Sequence, residues 1–193
     1  MALHKEIEIK FIVADPPALR NKLRKCGFCE VTPRTREMNS LYDTPRQDLR
    51  RRGELLRIRR YGVRWVLTHK AKAQSGRHKS RVETETGIDN GSKLALILLA
   101  LGFQSWFRYE KFRSEWSDGK GHVVIDETPI GWFSEIEGPP RWIDATAKRL
   151  GVPREQYLTS NYAQMFLDWK ARTGSDANEM TFKATKAGCK NAR

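Results

Sequence analysis

The residues of this chain best suited to chemistry come as charged side chains two positions apart, sorted by sign. Glu6 and Glu8 precede Lys10, and Arg57 precedes Arg59. Arg81 precedes Glu83 and Glu85, Lys111 precedes Arg113, and Glu135 precedes Glu137. Lys70 follows Thr68, and Asp126 follows Val124, at the same interval. Two residues apart on a β-strand means one face. Any one pair fits a solvated sheet face. The set does not, because a solvated face mixes signs, and like charges so placed repel and gain nothing. Such sorting is costly unless a ligand of opposite sign arrives. Converging carboxylates suit Mg²⁺ or Mn²⁺, hard cations that take oxygen ligands. Converging Arg and Lys suit phosphate oxygens. Two unit charges ~4 Å apart interact by ~4 kcal/mol at an effective dielectric of ~20. Several cations so placed hold a triphosphate strongly, and repel one another severely without carboxylates between them.

Side chains of this kind need strands to aim them. Residues 4–13 alternate polar and apolar, as a half-buried strand does. Pro16-Pro17 opens a helix over 18–25 that Gly27 closes. Strands are expected at 35–43, 54–60, 63–70, 80–87, 105–116, 121–127 and 131–137. Tyr61-Gly62, Asp118-Gly119 and Thr128-Pro129 mark turns between them. Helices are expected at 93–101, 140–150 and 161–172, the first capped by Ser92 and ended by Gly102. About eight strands in consecutive hairpins favour an antiparallel barrel or a sandwich. A barrel whose charged faces point inward is a metal-assisted phosphate site. From Thr173 onward the composition is small and polar with scattered lysines, so a loose basic tail is expected over 173–193.

Composition narrows the class. The chain has 193 residues, 39% hydrophobic and 31% charged. It is too apolar and aromatic for a disordered chain and too charged for a membrane protein. No apolar run approaches the ~20 residues of a membrane helix. MALHKEIEIK carries no signal-peptide core, so a cytoplasmic protein is expected. Cys26, Cys29 and Cys189 form no disulfide framework, and no second ligand pair follows the first two. The 36 basic and 23 acidic residues give +13, which points to a polyanionic partner.

EIEIK at 6–10 matches the ExExK signature of the CYTH superfamily, the triphosphate tunnel metalloenzymes that include class IV adenylyl cyclases and thiamine triphosphatases. YDTP at 42–45, LRIR at 56–59, WVLTHK at 65–70, RVETE at 81–85, KFR at 111–113, VVIDETP at 123–129 and SEIEGP at 134–139 follow in the family's order. The resemblance spans roughly 3–172. It implies an α+β fold, an eight-stranded antiparallel β-barrel forming a tunnel, with flanking helices. It also implies that Lys10, Arg57, Arg59, Lys70, Arg81, Lys111 and Arg113 bind phosphate, with Lys10 and Lys70 catalytic. Metal ligands, for Mg²⁺ or Mn²⁺, would be drawn from Glu6, Glu8, Glu83, Glu85, Asp126, Glu135 and Glu137. Glu6, Glu8, Glu135 and Glu137 lie in the most specific motifs. Lys170 is the candidate for a basic residue contributed by the C-terminal helix.

The expected activity is metal-dependent hydrolysis of inorganic triphosphate, thiamine triphosphate or a nucleoside triphosphate. A second reading is a class IV cyclase making cyclic AMP. Cyclases of that type tend to carry His-Phe shortly before the signature, where this chain has His4-Lys5. A third reading is a non-catalytic polyphosphate binder, which gains nothing from seven acids. The expected partner is the small triphosphate, not a membrane or a nucleic acid, with homodimerisation left open. The histidines lack ligand spacing. Trp65 and Trp116 have the parity that packs outside the tunnel. Trp132, beside a turn, is expected to pack as turn aromatics more often do, with bordering an opening and stacking on a ring as the alternative; Tyr42 is a candidate tunnel hydroxyl, and Arg50-Arg51-Arg52 reads as a solvated turn that could also attract substrate toward a mouth.

Overall fold

The structure is a computed structural model that describes residues 4–74, 76–158 and 160–188. Cys189 and the end of the expected tail lie outside these residues. Among the described residues, eight antiparallel strands close into a barrel. They are β1 (His4–Ile12), β2 (Cys29–Asp43), β3 (Leu55–Tyr61), β4 (Arg64–Lys70), β5 (Lys79–Ile88), β6 (Gln104–Ser117), β7 (His122–Thr128) and β8 (Gly131–Glu137). Around the barrel they run β1-β5-β4-β3-β2-β6-β7-β8. Six helices flank them: α1 (Pro16–Lys25), α2 (Asp48–Arg52), α3 (Gly91–Ala100), α4 (Pro140–Leu150), α5 (Tyr162–Thr173) and α6 (Phe182–Gly188).

The barrel is apolar outside and charged inside. Ile9 and Phe11 of β1, Trp116 of β6, Val123 and Ile125 of β7 and Ile136 of β8 form one core with Leu19 and Leu23 of α1 and Ile143 of α4. Strand alternation then sends Glu8, Lys10, Asp126 and Glu135 to the interior. α1 begins where sequence chemistry dictates: the Asp15 carboxylate accepts from the Ala18 N–H, and prolines fill the first turn, where no N–H partner exists. Asn90, not Ser92, caps α3, accepting from the Lys93 N–H.

The inward stripe changes character along its length. On β2 it reads Glu37, Asn39, Leu41; on β6, Arg113, Lys111, Tyr109, Phe107; on β8, Glu137, Glu135, Phe133. The aromatic end joins Tyr162 and Phe166 of α5 in a second core. α5 therefore covers part of one end of the barrel and leaves an opening beside it, while the other end stays charged.

The expected loose tail is corrected through Gly188. Ala177 and Met180 are buried in the second core, and Phe182 packs on Phe112. β7 pairs with β6 only over 112–117, which leaves the 104–111 edge of β6 without that neighbour. Met180 fills part of it: its N–H donates to the Arg108 carbonyl and its carbonyl accepts from the Glu110 N–H, both at 3.0 Å. Buried strand edges need such partners. The apolar residues of the segment are isolated among polar ones, so periodicity hides it. Arg50–Arg52 belong to the short helix α2 rather than to a plain turn.

Gly121, between β6 and β7, anchors the end of β8. A Cβ there would stand 2.5 Å from the Trp142 ring and 2.7 Å from the Glu137 carbonyl. Gly121→Ala should cost about 1–3 kcal/mol by overpacking. A urea midpoint equal to that of the parent protein would show that Trp142 moves aside freely.

Candidate active site

Two buried networks fill the tunnel. In the first, Glu37 is fully buried and lies 3.4 Å from Arg59, 3.6 Å from Lys111 and 4.0 Å from Arg113. Asp126 accepts from Lys111 at 2.8 Å, from Arg113 at 2.7 Å and from the Tyr162 hydroxyl at 2.6 Å. Glu135 accepts from Arg113 at 2.6 Å and pairs with Lys10 at 3.1 Å. Lys10 also sits 4.2 Å above the Tyr162 ring centroid. In the second network, Lys70 is 2.7 Å from both Glu6 and Glu83. Arg81 donates to Glu6 at 3.0 Å and Lys79 to Glu8 at 2.8 Å. Arg57 donates to Glu85 and to Thr68, each at 3.2 Å.

The electrostatics follow from burial first and neighbours second. Burial would raise the Glu6 carboxyl, but Lys70 and Arg81 outweigh it and hold the group down to about 2. Burial likewise opposes ionisation of Glu37, and Arg59, Lys111 and Arg113 reverse that. Glu137 goes the other way: burial, then Glu6, Glu8 and Glu135, push it up to about 7. Burial, reinforced by Glu6 against the pull of Lys70, also raises Glu83 to about 7. Lys70 is lowered by burial and by the Arg57 guanidinium.

Most of the expected site residues meet in one place. Glu6, Glu8, Lys10, Arg57, Arg59, Lys70, Arg81, Lys111, Arg113, Glu135 and Glu137 line a single narrow cavity of about 70 Å³. Glu83 and Glu85 stand at its charged mouth, a space of about 370 Å³ shared with Glu6 and Glu137. Asp126 lies behind Lys111 and Arg113, both of its oxygens taken, and orients those cations. Glu37, Lys79, Thr68 and Tyr162 belong to the site and were not among the expected residues. The parity of strand 35–43 carries Glu37, and one more residue on the strand at 80–87 reaches Lys79. Tyr162 needs the docking of α5, which leaves no local signal.

Trp132 does not border an opening. It packs on the first core beneath the Arg20 guanidinium. Tyr42 does not offer a tunnel hydroxyl either; it packs with Ile58 and Leu98 beneath α3. Both had the right neighbourhood in sequence, but the helices outside the barrel claim their rings.

An all-carboxylate donor set on one cavity fits Mg²⁺ or Mn²⁺ in chemistry. Burial, and after it the like charges of Glu6, Glu8 and Glu135, raise Glu137, and a cation would relieve the second cause. Among the described residues, however, no three acidic, His or Cys side chains already stand as a ligand group. Glu6, Glu8 and Glu135 are turned toward lysines and arginines instead.

The profile of the CYTH domain matches residues 4–147. A protein of Methanocaldococcus jannaschii, provisionally named an adenylate cyclase, is 28% identical over 133 residues, which is 68% of this chain and 75% of that protein. A solved structure from Vibrio parahaemolyticus, also provisionally named an adenylate cyclase, superposes with a TM-score of 0.74 at 18% identity, covering 86% of this chain and 99% of its own. A Hippeastrum protein, provisionally named an adenylyl cyclase and described as having a dominant triphosphatase activity, gives 0.62 at 20% identity, covering 85% and 95%.

The raised Glu137 makes a stability prediction. Its folded value of about 7 exceeds the ordinary 4.5, so between these pH values the folded state holds more protons than the unfolded. Stability is therefore lost as pH rises through that window. Without metal, Glu137→Gln should stabilise the protein by about 1–3 kcal/mol at pH 8 and by little at pH 4. Denaturation in EDTA at both pH values measures it, and equal midpoints at pH 8 would contradict the crowding described.

Proposed function

This chain belongs to the CYTH domain family, and we propose that it is a divalent-metal-dependent hydrolase of a triphosphate-containing substrate bound within the barrel. The observation that carries this reading is the pairing, on one inward wall, of a cation set suited to phosphate with a carboxylate set suited to a hard metal. A pure anion binder has no use for the second set.

Phosphate binding here is an exchange of partners. Lys10 already holds Glu135, Lys70 holds Glu6 and Glu83, Lys79 holds Glu8, and Arg81 holds Glu6. Phosphate oxygens compete for these donors, and each cation they take frees a carboxylate. Mg²⁺ or Mn²⁺ held by Glu6, Glu8, Glu135 and Glu137 would polarise the phosphoryl group and offset charge on the leaving oxygens. Arg57, Arg59, Lys111 and Arg113 orient the chain of phosphates. Water oxygen bonds to the terminal phosphorus and releases its proton to solvent, the bond to the bridging oxygen breaks, and the charge gained by that oxygen is met by fixed cations. Lys70 gives up a proton more readily than an ordinary lysine, being lowered by burial and by Arg57, and suits protonation of the leaving oxygen. Lys10 remains a charged clamp, since Glu135 and Glu8 outweigh its burial.

The provisional cyclase name of the 28%-identical relative keeps one other outcome in view. A cyclase uses the ribose 3′-hydroxyl in place of water and releases pyrophosphate. Purified protein incubated with tripolyphosphate, ATP or thiamine triphosphate separates the readings. Orthophosphate as product supports hydrolysis, and cyclic AMP with pyrophosphate would overturn it. Turnover should vanish in excess EDTA and return with Mg²⁺ or Mn²⁺.

Arg59 gives the cleanest binding variant, because Glu37 keeps Lys111 and Arg113 when it is lost. Arg59→Ala should raise KM about 10- to 100-fold, the worth of a charge-assisted hydrogen bond. An unchanged KM in a folded variant would remove Arg59 from the phosphate clamp.

A further inference from the structure

The tunnel opens differently at its two ends, and the difference bears on the part of the substrate beyond its phosphates. The end at Glu83, Glu85 and Glu137 is lined by charged side chains throughout. It offers no surface to an organic ring. The other end widens into a pocket of about 410 Å³, within the roughly 300–1,000 Å³ usual for small-molecule sites. It joins the tunnel directly, through Leu41, Leu55, Arg81 and Asn161, which line both spaces. β6 supplies one wall, α5 another, and the segment after Thr173 a third, through Asn178.

We propose that this pocket holds the nucleoside of a nucleoside triphosphate, and that Trp106 and Asn178 determine that specificity. The inference rests on the proposed triphosphate site and goes further, to the organic group. Trp106 is 36% exposed, a large cost for an indole unless a partner covers it. The Arg50 guanidinium lies 4.1 Å from its ring centroid, so the two planes make a platform of the kind on which nucleobases stack. Phe107 backs it, stacked at 5.7 Å. Asn178 is exposed at the rim and its amide bonds no described residue, leaving a donor and an acceptor for a base edge or a ribose hydroxyl.

Charge decides against thiamine triphosphate. Arg50, Arg81 and Lys170 line the pocket. Glu54 is matched by Arg52 and Arg81 by Glu6, which leaves Arg50 and Lys170 against Asp43, whose carboxylate already accepts from the backbone N–H groups of Thr44, Leu49 and Arg50. A permanently cationic thiazolium meets a positive rim there, whereas a neutral base does not. Inorganic triphosphate leaves the pocket unused. The C-terminal segment thereby gains a role: the same strand pairing that buries Met180 brings Asn178 to the mouth.

The test is calorimetric binding to the full chain in EDTA, with ATP, thiamine triphosphate and tripolyphosphate as probes. ATP should bind at least about 10-fold more tightly than either of the others. Trp106→Ala should lower ATP affinity about 10-fold and Asn178→Ala about 3- to 10-fold, with tripolyphosphate affinity unchanged in both. That unchanged value also certifies an intact tunnel in each variant. Equal binding of ATP and tripolyphosphate, a preference for thiamine triphosphate, or variants that weaken all three probes alike would overturn the assignment and leave the triphosphate site standing. If binding appears only with Mg²⁺ added, the same affinity ratios are read there; neither binding nor turnover of any of the three, in EDTA and with Mg²⁺, would overturn the triphosphate site as well.

Discussion

A buried charge must be matched by another, and the interior of this barrel is organised around that requirement. Among the described residues, the tunnel cations are Lys10, Arg57, Arg59, Lys70, Lys79, Arg81, Lys111 and Arg113. Glu6, Glu8, Glu37, Glu83, Glu85, Asp126, Glu135 and Glu137 answer them in equal number. The formal +13 of the chain is therefore carried wholly by residues outside this set, such as the exposed Arg46, Arg51, Arg60 and Arg64. Net charge and phosphate site are separate properties here. The surplus attracts anions toward the molecule; what binds within the tunnel depends on pairing, not on excess.

The same requirement explains the inside-out construction. A tunnel wall that must stay charged cannot serve as the hydrophobic core, so the core moves to the outer face, beneath α1 and α4. Strand alternation allows this with no special residues, since Ile7, Ile9 and Phe11 fall opposite Glu6, Glu8 and Lys10. Only at the α5 end does the inward stripe turn aromatic, through Phe107, Tyr109 and Phe133, and there Tyr162 and Phe166 narrow the opening. One end of the tunnel is thus apolar enough to seat a ring, and the other polar enough to remain wet.

Period-two patterning made the eight strands and most of the inward charges legible, because parity is a local property. It failed where position depends on docking. The hydroxyl of Tyr162 reaches Asp126 only because α5 covers the barrel end. The ring of Trp132 was drawn to the outer core by α1, a partner more than a hundred residues away in sequence. The segment after Thr173 looks loose in sequence because its buried residues, Ala177 and Met180, follow no period; the open edge of β6 holds Met180, and the second core holds Ala177. Glu37, Thr68 and Lys79 are omissions of another kind, since strand parity alone aims them inward; the neighbours of Glu37, Arg36 and Met38, face out.

Neutrality also links the two ligands that the proposed function requires. An anion entering the tunnel alone must separate Lys70 from Glu6 and Glu83, or Lys10 from Glu135, leaving carboxylates buried without partners. Those carboxylates stand beside Glu137, which the present crowding already pushes up to about 7. A cation entering alone must likewise draw Glu6, Glu8 or Glu135 away from their lysines and arginines, leaving positive charges unmatched. Each event alone is opposed by desolvation and repulsion, while the two together restore the balance. Under the proposed function, metal and triphosphate would be coupled ligands, each raising the affinity for the other by the same factor. The coupling needs no movement of the barrel, only the exchange of partners among side chains that parity has already placed face to face.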